Sequence, residues 1–173
     1  YIHYPSGQSL SYVEIRNCNR CWPGRPDGTL TEQTNYAAME MIRKHDINVA
    51  VDFHEAELMY PVINCIVAPS KSASIATLAA INLSLDFDIH TEPSPPGYRG
   101  LSHREIGDYS DACPFLQEVP EPFLDQPTGP KTESLLLEGK DEILVRAGEK
   151  GLLYIDFDES GSSIEYRVGR HIS

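Results

Sequence analysis

Residues 47–56 read INVAVDFHEA, an apolar run that closes on a histidine with an acid on either side. Val49, Val51 and Phe53 favour an extended chain, and no Gly or Pro breaks the run, so the stretch is predicted to be a buried strand with His54 at its carboxyl end. Working outward, residues 31–44 (TEQTNYAAMEMIRK) carry a polar opening and then Ala38, Met41 and Ile42 in helical rhythm. On the other side PVINCIVAP, residues 61–69, is a second apolar strand, and residues 70–84 form a helix opened by serine. DFDIH (86–90) and ACPFLQEV (112–119) are further strands, and residues 131–150 read as one long helix that Gly139 weakens. Residues 151–158 and 163–169 look like a closing strand pair. Strands alternating with helices predict an α/β fold with a mixed β-sheet flanked by helices, over residues 1–173 as one domain. Ligands of such sheets gather at the carboxyl ends of strands, where His54 and Glu118 both fall.

Bulk composition narrows the function classes. With 173 residues and 40% hydrophobic side chains the chain is long enough to bury a core. Fourteen Lys and Arg against 26 Asp and Glu give a net charge of −12, which argues against nucleic-acid or anionic-membrane partners, since both need a basic surface. No apolar run approaches the ~20 residues of a membrane span. The expectation is a soluble protein, cytoplasmic or exported with a leader removed.

The four cysteines, Cys18, Cys21, Cys65 and Cys113, are too scattered for a disulfide scaffold. Cys18-Asn19-Arg20-Cys21 has CxxC spacing, but Trp22-Pro23-Gly24 follows it as a turn, where a redox site would open a helix. A structural zinc site would need a second such pair.

An Asn-Arg pair, an aromatic-Pro-Gly turn, a helix and then a strand ending in Asp-x-His make a more specific pattern than any of its parts. This order resembles the zinc metallocarboxypeptidase family, and within it the branch of succinylglutamate desuccinylase and aspartoacylase. The resemblance implies a zinc-carboxypeptidase-like (phosphorylase/hydrolase-like) fold. It also implies a zinc-dependent hydrolase that cleaves an amide bond adjacent to a free carboxylate, in a small peptide or an N-acyl amino acid. Carried over, Asn19 and Arg20 grip the substrate carboxylate, Arg16 assists the oxyanion, His54 is a zinc ligand and Glu118 is the general base. Asp52, two residues before His54 on the same strand face, would orient it. Glu121 and Glu133 compete with Glu118 for the role of base, Glu133 more simply as a partner of a helix dipole.

The pattern departs from the family at one point. Its first two zinc ligands come from an H-x-x-E motif ahead of the Asn-Arg pair, and residues 1–18 hold none; His54-Glu55-Ala56-Glu57 has the spacing but the reverse order. The chain is therefore expected to be the carboxyl-terminal part of a catalytic domain, with the remaining two Zn²⁺ ligands upstream. The alternative is a non-catalytic carboxylate-binding domain of the same fold, and a further one is a metal site of His54, Glu57 and His90 or His103. His103 and Arg104 either line the substrate pocket or belong to a polar loop, and His45, His90 and His171 read as structural or solvated.

Overall fold

Thr29 and Glu32 start the first helix. Thr29 Oγ1 accepts from the Glu32 amide at 3.3 Å, and the Glu32 carboxylate accepts from the Thr29 amide at 2.7 Å, a reciprocal cap that opens α1 (Leu30–Lys44). A cap of this kind contributes about 1 kcal/mol. Strand β1 (Val49–Ala56) follows, then β2 (Cys65–Ala68), a 3-10 turn at Ser70–Ser72, α2 (Ala73–Leu83), β3 (His90–Pro93), α3 (Ser102–Tyr109) and β4 (Cys113–Pro120). The helices α4 (Glu133–Glu138), α5 (Glu142–Glu149) and α6 (Ile164–Ile172) complete the sequence of elements. The computed structural model describes residues 1–58, 61–122, 131–154, 157 and 161–172.

Among these residues the strands form one sheet in the order β1-β4-β2-β3. The Cys113 amide donates to Asn48 O and the Glu121 amide to Ala56 O, so β1 and β4 run the same way. His90 to Asn64 and Ser94 to Ala68 give β2 and β3 the same relation. The sheet is mixed and flanked by helices, the α/β class that the alternation predicts, and its antiparallel junction lies between β4 and β2.

The chain divides into two compact units, and helices and strands pass from one to the other. The first holds residues 1–52, 67–78 and 91–116; the second holds residues 53–66, 79–90 and 117–173. In the first, Met39 and Ile42 of α1 pack with Ile106 of α3 and with Ala112, and Trp22 and Ala50 close over them. In the second, Leu58, Leu144 and Phe157 form a buried cluster with Val145 and Leu153 against it. No helix among the described residues is long and apolar enough to cross a membrane.

Besides the strand expected at residues 86–90, which forms instead at His90–Pro93, three expectations are corrected. Strand β1 is not buried on both faces: Val49, Val51 and Phe53 are exposed, because β1 is an edge strand whose larger apolar side chains share one face. The long helix of residues 131–150 is two. Gly139 ends α4 in the left-handed conformation (φ 64°), and Asp141 caps α5 by accepting from the amides of Ile143 and Leu144 at 2.7 and 3.1 Å. In place of a strand at residues 163–169 the chain forms helix α6 from Ile164, opened by Ser163 Oγ accepting from the Tyr166 amide at 3.3 Å. Residues 151–154 are not in a strand, and residues 155, 156 and 158 of the expected partner strand lie outside the described residues.

Candidate functional site

The parallel register of β1 and β4 makes His54 and Glu118 neighbours. His54 Nδ1 lies 3.7 Å from Glu118 Oε1, and the side chains are 27% and 17% exposed. That distance is too long for a hydrogen bond and within ion-pair reach for a protonated imidazole. Both groups are thus partly withdrawn from water and partly open to it.

Alternation along β1 sends Phe53 and Glu55 to the other face. There the Phe53 and His171 rings are 4.7 Å apart, and Glu55 accepts from Arg167 Nε at 2.6 Å. Arg167 is buried, and its other nitrogens donate to the carbonyls of Ser162 and, at 2.9 Å, Leu136. Glu55 is therefore engaged structurally and is not a further acid beside His54. Burial lowers the pKa of His171; Glu55 opposes the shift, and the charges of His54 and Arg170 add to it.

The Asn19-Arg20 pair belongs to the first unit. It sits in a 3-10 turn, Cys18–Arg20, that Asn17 caps by accepting from the Asn19 amide at 2.8 Å. Asn19 is buried and its Oδ1 accepts from the Ser102 amide at 2.7 Å, while Ser102 Oγ donates to Asp52 at 2.5 Å. Ser102 thus ties the Asn19 turn to the acid expected to orient His54, a link between positions 83 and 50 residues apart that the sequence did not reveal. Gly100 keeps the turn close: its carbonyl accepts from the Trp22 amide at 3.1 Å, its φ is +81°, and a Cβ there would strike the Arg20 carbonyl. The Arg20 guanidinium is half-buried, donates to Asn19 O at 2.8 Å and forms no ion pair among the described residues, although the Glu14 carboxylate feels its charge. Arg16 is exposed and lies over the Tyr12 ring at 4.9 Å.

All four cysteines carry thiols rather than disulfides. Cys18 is exposed, whereas burial, with smaller contributions from Glu32 and Cys18, pushes the Cys21 thiol up to about 11. Cys21 is therefore held as a thiol near neutral pH. His103 and Arg104 lie on helix α3 rather than in a loop.

Comparison with protein-family models, curated proteins and solved structures finds no match. Among the described residues no three His, Cys, Asp or Glu side chains stand together as a metal-holding group. A catalytic zinc takes three protein ligands. One imidazole beside one carboxylate does not fit that need by itself.

Proposed function

We propose that this protein hydrolyses an amide bond adjacent to a free carboxylate, as an enzyme of the zinc metallocarboxypeptidase type with an affinity to the succinylglutamate desuccinylase and aspartoacylase branch. The supporting observation is the pairing of His54 with Glu118 on adjacent parallel strands of a mixed α/β sheet. In this proposal Glu118 accepts a proton from the attacking water and returns it to the leaving nitrogen. Arg20, with Asn19, holds the substrate carboxylate through its planar fork, and Arg16 assists the developing oxyanion. Zinc in this class of enzyme acts as a Lewis acid toward the carbonyl. His54 would be one of its ligands, and the other two would come from residues outside those described.

The test is turnover by the intact protein of N-acyl amino acids and short peptides, each as free acid and as amide. Hydrolysis of the free acids, with kcat lowered ~10²-fold by Glu118→Gln and KM little changed, supports the proposal. Equal turnover by wild type and Glu118→Gln would overturn it. Tight binding of the acids without turnover would favour a carboxylate-binding domain instead.

A further inference from the structure

The first unit holds a cavity of about 660 Å³, within the range that small organic ligands occupy. It lies where the parallel strands β2 and β3 end, the position at which α/β sheets bind ligands. One wall is a face of α2, where Ala73, Ala76 and Thr77 stand at helical spacing. Pro69, Pro93 and Pro96 continue this mostly apolar lining.

Two cations also line the cavity, and both are held by uncharged acceptors. Lys71 Nζ donates to the carbonyls of Gly107 and Ser110 at 3.1 and 2.8 Å. Arg104 Nη2 donates to Ser94 O, Ser94 Oγ and Pro95 O at 3.0, 2.9 and 3.2 Å. The Arg104 Nε is shielded from solvent and meets no acceptor. Neither cation pairs with a carboxylate among the described residues, in a chain with 26 acidic side chains against 14 basic ones. Two carboxylates also line the cavity, Glu92 and Asp108, and Asp108 pairs with Arg99 at 3.0 Å. Ser94 is fixed from behind by His103, whose Nε2 lies 3.0 Å from its Oγ. The arrangement sets two cations, each held by carbonyl and hydroxyl oxygens, beside an apolar wall.

We infer that this cavity binds a small aliphatic carboxylic acid, with its carboxylate on Arg104 and Lys71 and its chain along Ala73, Ala76 and the prolines. The inference goes beyond the hydrolase proposal and does not use Glu118, His54 or Arg20, so either can fail without the other.

The experiment is titration calorimetry of the whole chain with hexanoate, hexan-1-ol and inorganic phosphate as probes. Hexanoate should bind at least ~10-fold more tightly than hexanol, because charge-assisted hydrogen bonds are the stronger kind. Arg104→Met should weaken hexanoate ~10-fold or more while leaving hexanol unchanged. Ala73→Trp, at an exposed helical position, should weaken both by filling the cavity. Circular dichroism and melting of each variant separate lost binding from lost folding, and should Arg104→Met not fold, Lys71→Met and Ala73→Trp carry the test. The inference is overturned if hexanoate binds no better than hexanol, if folded variants keep wild-type affinity, or if phosphate binds as tightly as hexanoate and displaces it.

Discussion

Glu118 Oε1 and His54 Nδ1 face each other at 3.7 Å across two strands that run the same way. Strands hold their side chains at fixed spacing, so the relation is set by the sheet rather than by a loop. If the two groups act on one reaction, their losses should not add. His54→Ala and Glu118→Gln are each expected to lower kcat/KM of the intact protein ~10²-fold or more, and the double variant should be little worse than the poorer single one. Rates for the four proteins test this; losses that multiply would mean independent roles.

Gly100 should tolerate no side chain. Its positive φ disfavours alanine, and the added Cβ would meet the backbone carbonyl of Arg20, which cannot swing aside as a side chain does. Gly100→Ala is expected to destabilise the chain by more than ~1 kcal/mol, read as a lower denaturant midpoint. Gly97, where a Cβ meets nothing, is the control and should change little.

Local signals in the sequence carried much of this fold. The helical rhythm of residues 31–44, the β-branched run before His54 and the apolar run before Glu118 each specify an element through their own residues, and all three elements appear. Helix α6 was not legible, because Ile164, Tyr166 and Val168 alternate as a strand would. Its helical form instead places Arg167 and Arg170, three residues apart, in buried positions, and Arg167 reaches Glu55 from 112 residues away. Tertiary contacts of that range outweigh local propensity. The same limit hid the cavity beside Arg104, whose walls come from three separated segments. His54 and Glu118 could be picked out because strand ends can be read from the pattern; their separation could not.

The cysteines should differ sharply in reactivity. Only the thiolate attacks an alkylating reagent, and a thiol with a pKa of about 11 is ~10⁻³ ionised at pH 8. Under native conditions iodoacetamide should label exposed Cys18 first and leave buried Cys21 unmodified until the chain unfolds. Peptide mass spectrometry over time reads this order, and early labelling at Cys21 would contradict the burial described.

His171 should make stability depend on pH near neutrality. Its folded pKa lies below the ordinary 6.5, chiefly through burial. Between the two values the unfolded chain binds a proton that the folded chain does not, so stability falls as pH drops from about 6.5 toward the folded pKa. Above about 6.5 the group is neutral in both states and contributes no slope. His171→Gln should flatten this part of the profile, read as denaturant midpoints between about pH 5 and pH 8. A variant with the wild-type slope would assign the dependence to other groups.

Arg20 should decide which substrates the intact protein accepts. Its guanidinium is half-buried, and its observed side-chain bond is to the Asn19 carbonyl, so donors remain for a ligand. Charge-assisted hydrogen bonds in a partly dry site contribute about 1.5–3 kcal/mol each. Arg20→Met keeps much of the bulk and removes them, so kcat/KM for a free-acid substrate is expected to fall ~10²-fold or more. The corresponding amide should be a poor substrate of the wild type and lose little further, because its missing charge already forfeits the same bonds. Arg20→Lys should recover only part of the activity, since a point charge does not reproduce a planar fork. The measurement is a comparison of three proteins on two substrates, free acid and amide, with a melting curve for each protein. Equal losses on acid and amide in a folded Arg20→Met protein would mean that Arg20 supports the turn it shares with Asn19 and does not hold the substrate carboxylate.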